Sequence, residues 1–118
     1  MGTGSDQSVA DLLSARPADK GDGPERLRIA IVGMGLVGRR HAAAIRQVGS
    51  VEVCAVVDAD EAITAQAARA GIESYDDLSV MINTARPDGI ILSTPTNLHM
   101  SQGLTCIESG IPVLIEKP

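Results

Sequence analysis

Aromatic residues are almost missing: the 118-residue chain has no Phe and no Trp, and Tyr75 is its one tyrosine. Its core must therefore be built from Ala, Val, Ile, Leu and Met, and aliphatic β-branched runs of that kind suit a sheet buried on both faces. Basic residues are outnumbered by acidic ones, with a net charge of −5 and a pI near 4.8. With no clustered Lys or Arg, that balance argues against a nucleic-acid or anionic-membrane surface. The longest apolar run falls far short of a membrane span, and the N-terminus lacks a basic region followed by an apolar one. Asp6 stands where a myristoylation signal needs Ser or Thr. Arg39 and Arg40 follow the glycines rather than precede a signal helix and read as a solvated helix face. Cys54 and Cys106 have no metal-ligand spacing and read as buried thiols of a reducing cytoplasm. No Asp, His or Cys cluster and no Gly-Lys-Ser loop occurs, which disfavours metal-dependent or phosphate-transferring chemistry.

What is present is a regular alternation. Residues 1 to 25 mix Gly, Ser, Asp and Pro around one helix-capable piece, Ser8 to Ala15, and are expected to form a flexible tail. Residues 26–118 form the domain. Strands are predicted at Leu27–Gly33, Val51–Val57, Ile72–Tyr75, Gly89–Ser93 and Pro112–Ile115. Helices are predicted at Leu36–Val48, Asp60–Ala70, Asp76–Thr84 and Asn97–Ser109, with Gly71, Pro87 and Gly110 as stops. Strands alternating with helices of this size imply right-handed crossovers. The fold class is α/β, a Rossmann-type doubly wound parallel sheet with helices on both faces.

Between the first strand and its helix runs Gly33-Met34-Gly35-Leu36-Val37-Gly38, a G-x-G-x-x-G loop. The first glycine permits the tight turn, the second lets backbone approach a pyrophosphate, and the third allows close helix–strand packing. Amides at the helix start, helped by its dipole, then face a diphosphate. Asp58 ends the second strand, where a carboxylate accepts hydrogen bonds from both hydroxyls of an adenosine ribose and repels a 2′-phosphate. That favours NAD over NADP unless Arg69 reaches the site. A plainer reading has Asp58 capping the next helix together with Asp60. The fourth strand ends in Ser93-Thr94-Pro95-Thr96-Asn97-Leu98-His99, so Thr94, Pro95 and Asn97 are expected beside the cofactor's middle or nicotinamide end. Ser93 and His99 are counted with them as cofactor-binding candidates; the plainer readings are a helix cap for Asn97 and a surface or packed first-turn histidine for His99. The fifth strand ends in Glu116-Lys117-Pro118, where a lysine needs a carboxylate, a hydroxyl or a cofactor as partner.

The ordered set VGMGLVGRRH, VVDAD, STPTNLH and EKP, over Leu27 to Pro118, resembles the nucleotide-binding domain of the Gfo/Idh/MocA oxidoreductases, the family of glucose-fructose oxidoreductase and inositol dehydrogenase. The resemblance implies a nicotinamide-dependent dehydrogenase of a sugar, cyclitol or related polyol, with NAD as cofactor and NADP less favoured. It implies that Lys117 lies near the nicotinamide and the substrate hydroxyl as the catalytic residue. It further implies that Glu116 approaches the cofactor ribose and that the Lys117–Pro118 bond is cis. In that family a second α/β domain follows this motif, supplying an aspartate–histidine pair, most of the substrate pocket and a homo-oligomer interface. Without such a domain, this sequence is expected to bind dinucleotide but not to turn substrate over. The competing reading is a non-catalytic dinucleotide-binding or NAD-sensing module.

Overall fold

The computed structural model describes residues 8–14 and 26–116. Five strands form one parallel sheet: β1 (Leu27–Val32), β2 (Val51–Val57), β3 (Glu73–Tyr75), β4 (Gly89–Leu92) and β5 (Val113–Ile115), in the order β3-β2-β1-β4-β5. Five helices accompany them: α1 (Val9–Leu13), α2 (Leu36–Arg46), α3 (Glu61–Arg69), α4 (Leu78–Ala85) and α5 (Thr96–Glu108).

Alternation along the strands sends successive side chains to opposite faces. Ile31, Val53 and Val56 pack with Ala42 of α2 and with Ile63 and Ala67 of α3. Ala30, Val32, Ala55 and Val57 pack with Met81 and Ile82 of α4 and Cys106 of α5. The sheet is thus covered on both sides, as the aliphatic composition implies. The chain reverses its winding between β1 and β4, whose following helices lie on opposite faces.

Local chemistry accounts for the ends of the elements. Asp60 and Asp77 cap α3 and α4 by accepting from Ala62 N and Val80 N. The predicted acid-capped helix therefore begins at Leu78, not at Asp76. It runs to Ala85 because the residue before Pro87 is excluded from the helical region, and Arg86 takes φ 49° instead. Burial raises the thiol of Cys54, with Arg28 opposing, and that of Cys106; both cysteines are free.

One expectation fails. Residues 9–13 are not a flexible tail but a helix docked on the first core. Val9, Leu12 and Leu13 recur at helical spacing and are 2–7% exposed. Gln66 of α3 accepts at Oε1 from the Val9 and Ala10 amides (2.9 and 3.3 Å), satisfying two donors that so short a helix leaves open. Arg46 Nε donates to the Ser14 carbonyl (3.1 Å) at the other end. The rest of the 1–25 segment lies outside the described residues, apart from Ser8 and Ser14.

Candidate functional site

Because all five strands are parallel, the residues that follow them emerge at one edge. Gly33 after β1, Asp58 after β2, Ser93 after β4 and Glu116 after β5 share it. Ligands of open parallel sheets bind at this edge, at the point where winding reverses, which here is the gap between β1 and β4.

The three glycines do different work. Gly33 has φ 93°, and a Cβ there would lie 3.0 Å from Ser93 C and O, so this turn needs a bare backbone for both conformation and room. A Cβ on Gly38 would sit 2.0 Å from the Gly33 carbonyl oxygen; α2 seats directly on the loop. Gly35 is the N-cap of α2, is exposed, and has nothing within 4 Å of where a Cβ would be. It offers no side chain to the helix start, so the first-turn amides of Leu36, Val37 and Gly38 open toward that clear space.

Met34, between the first two glycines, is tied down. Its side chain is buried in the first core. Its N–H donates to Asp58 Oδ2 (2.8 Å), and its carbonyl accepts from Arg39 Nε (3.1 Å). Asp58 also accepts from the Asp60 amide at Oδ1 (2.8 Å). Asp60, not Asp58, provides the side-chain cap of α3, so the plain capping reading belongs to Asp60 alone. A carboxylate has about four lone-pair sites, and these two bonds use half of them. Asp58 thus braces the glycine loop and retains acceptor capacity. Arg39 and Arg40 are both exposed, as expected of a solvated helix face, and Arg39 in addition clamps the loop through its bond to the Met34 carbonyl.

On the β4 side, Ser93 N–H donates to the Val32 carbonyl (2.8 Å), which locks this turn against β1. Ser93 Oγ is buried and has no hydrogen-bond partner. Such an orphan beside the glycine turn fits a site that takes a polar ligand. Thr94 Oγ1 donates to Gln102 Oε1 (2.5 Å), and His99 Nε2 donates to the Thr94 carbonyl (2.6 Å), so His99 is a packed first-turn histidine whose ring orders the turn. Pro95 is the N-cap of α5, and Asn97 is exposed inside its first turn rather than capping it. Lys117 and Pro118, and with them the expected cis bond, lie outside the described residues. Glu116 donates its N–H to the Leu92 carbonyl (3.1 Å), and its Oε2 meets Nε2 of His41 on α2. His41 had no assigned role in the sequence. Its one signal is its place three residues after Gly38, on the stripe that leads to buried Ala42.

Arg69 does not approach this edge. It lines a cavity of about 470 Å³ at the opposite end of the sheet, with Arg26, Arg46 and Glu52. Arg46 and Arg69 end α2 and α3, where a cation balances the helix dipole.

Comparison with known proteins agrees with this geometry. The family model described as oxidoreductase family, NAD-binding Rossmann fold, matches residues 27–118. The chain belongs to the Gfo/Idh/MocA oxidoreductase family. It is 34% identical over 93 residues to the rhizopine catabolism protein MocA of Rhizobium meliloti, covering 79% of this chain and 29% of that protein. It is 42% identical over 97 residues to inositol 2-dehydrogenase 4 of Saccharopolyspora erythraea, covering 78% of this chain and 28% of that protein. Among solved structures it resembles scyllo-inositol dehydrogenase from Lactobacillus casei with bound NAD(H) and scyllo-inositol (TM-score 0.73, 26% identity, 80% of this chain and 28% of that one). It also resembles biliverdin reductase from Synechocystis in complex with biliverdin and NADP+ (TM-score 0.70, 26% identity, 78% and 29%). The chain thus spans under a third of the length of these Gfo/Idh/MocA relatives. Helix α1 precedes the matched region.

Proposed function

We propose that this chain is the NAD-holding part of a dehydrogenase that oxidises a secondary alcohol of a cyclitol, sugar or related polyol. The observation that carries the reading is the loop of Gly33 to Gly38 braced by Asp58, with open space above Gly35 and an orphan hydroxyl at Ser93. These residues fit a dinucleotide. The amides of Leu36, Val37 and Gly38 would face the diphosphate. Asp58 would accept from the ribose hydroxyls with its remaining lone pairs, and Ser93, Thr94, Pro95 and Asn97 would line the path toward the nicotinamide.

When bound, NAD supplies a hydride acceptor at C4 of its nicotinamide ring. The protein's part is position and charge. Lys117 would donate a hydrogen bond to the substrate hydroxyl oxygen and lower the hydroxyl pKa, so that its proton passes to a base as the carbonyl forms. That base, most of the substrate pocket and the homo-oligomer interface belong to the remainder of a full-length protein. A carboxylate at position 58 disfavours a 2′-phosphate, and Arg69 at the far end of the sheet cannot counter it, which supports NAD over NADP. The free thiols of Cys54 and Cys106 suit the cytoplasm, and among the described residues no helix is long and apolar enough to cross a membrane.

The test is a turnover screen of the full-length gene product with NAD against a panel of inositols, aldoses and polyols, following NADH formation. Reduction of NAD by at least one member is the expected result. Tight NADH binding without turnover of any member would favour the NAD-sensing alternative.

A further inference from the structure

Two opposite charges hold the same residue of the glycine loop. Met34 donates its N–H to Asp58 Oδ2 (2.8 Å) and accepts at its carbonyl from Arg39 Nε (3.1 Å). One residue of backbone separates the two bonds, so Oδ2 and Nε lie within about 10 Å of each other. Arg39 stands on the side of α2 that faces β2 and α3. Ala43, one turn on, packs on the first core, and Arg46, two turns on, reaches Ser14 at the end of α1, which packs against both α2 and α3. Asp58 leaves β2 on that same side, directly before α3. Arg39 commits its Nε to the loop; the residue is exposed, and among the described residues no carboxylate forms an ion pair with it. Its terminal N–H groups form a planar fork suited to phosphate oxygens. The neighbouring Asp60 uses one carboxylate oxygen to cap α3.

We propose that Arg39 is a specificity-determining residue for the cofactor, the cation that receives a phosphate on the ribose 2′ oxygen, so that the choice between NAD and NADP is a contest between its charge and that of Asp58. This inference rests on the function proposed above and deepens it. The ionised Asp58 accepts from a free 2′ hydroxyl and opposes a phosphate there, and NAD prevails. With that charge removed, the guanidinium attracts the phosphate and the preference narrows or inverts. Arg69, at the far end of the sheet, has no part in this, and Arg40 lies about 100° further around the helix.

The experiment is a paired fluorescence titration of the 118-residue chain with NADH and NADPH, which share one fluorophore and one diphosphate. Loss of the clamp on Met34 weakens both alike, so the readout is the ratio of the two affinities. Asp58→Asn should shift that ratio toward NADPH at least about tenfold. Adding Arg39→Gln should cut the gain below about threefold, whereas adding Arg39→Lys, which keeps the charge, or Arg40→Gln should retain most of it. Raising the salt from about 0.05 to 0.5 M should shrink the gain in Asp58→Asn, because exposed charges are screened. A gain that survives Arg39→Gln, or that Arg40→Gln abolishes as fully, would overturn the proposal. If the double variant does not fold, Arg39→Gln alone decides: its ratio should move further toward NADH than that of the wild type, and an unchanged ratio sinks the idea. A wild type that binds neither nucleotide removes the proposed function and this inference together. NADH binding with a ratio indifferent to Arg39 removes the inference alone.

Discussion

Two alanine substitutions three residues apart in the same loop should fail in different ways. At Gly38, a methyl group would begin 2.0 Å from the Gly33 carbonyl oxygen and 3.0 Å from its carbon, where ordinary contact begins near 3.4 Å. Helix α2 and the loop would have to part by roughly 1.4 Å, in a region held by buried Met34 and Ala42. Forcing an extra methyl into packing this close costs about 1–3 kcal/mol. In a domain of this size that is about 4 to 24 °C of melting temperature. At Gly35 the same methyl meets nothing within 4 Å, and φ −71° is open to alanine. The loss there is a poorer N-cap, about 0.5 kcal/mol. Yet the methyl stands in the clear space above the open amides, so NADH affinity should fall at least about tenfold, or 1.4 kcal/mol. The assay is thermal melting paired with NADH fluorescence titration on the 118-residue chain, which has no tryptophan of its own to interfere. Gly35→Ala with native NADH affinity would mean that the diphosphate does not lie over this helix start. Gly38→Ala with a native melting temperature would refute the steric reasoning.

Asp58→Ala unties the Met34 amide and removes the ribose acceptor, so both cofactors should weaken, but the NAD-to-NADP affinity ratio should drop at least about tenfold; an unchanged ratio in paired titrations would dissociate Asp58 from the ribose. Tyr75 donates to Glu73 Oε1, and this bond raises its phenol to about 12 from the usual 10. A proton held more tightly in the folded chain contributes stability that is complete below pH 10 and is lost as pH rises toward 12. Tyrosinate absorbance of this one chromophore should titrate near 12 in the native chain and at lower pH in Glu73→Gln; coincident curves would deny the bond. Leu12→Ala should cost about 2 kcal/mol and Gln66→Ala about 1 kcal/mol in urea unfolding. Unchanged midpoints for both would show that α1 contributes nothing to the folded domain.

Most of the architecture was readable because it depends on near neighbours along the chain. Buried parallel strands are continuous aliphatic runs, and Val51–Val57 was bounded to the residue. The glycine spacing encodes its own geometry, since a turn, an open helix start and a close crossing each forbid a side chain for a local reason. What could not be read depends on residues far apart. Five residues at 9–13 are too few to form a lasting helix unaided, and it is the distant first core, with Gln66 and Arg46 at the two ends, that holds them. Arg39 looks like any exposed arginine until Met34 turns its carbonyl toward it. His41 acquires a partner only when β5 is laid two strands away from β1.

The placement of Asp58 shows how a long-range feature selects a local one. In β2 the pairing with β1 steps from Ile29–Val53 to Ala30–Ala55, leaving Cys54 as an extra residue. Val53 packs on the α2 face, Cys54 and Ala55 both on the α4 face, then Val56 on the first and Val57 on the second. Strict alternation from Val53 would send position 58 to the α4 face. The extra residue inverts the phase, so Asp58 emerges on the side of α2 and its carboxylate meets the Met34 amide. The motif needs an acid at the end of the second strand, but an acid at the right distance in sequence would face away from the loop if the strand were regular. Counting residues from glycine to aspartate therefore identifies the acid, whereas the bulge at Cys54 is what turns it toward the loop.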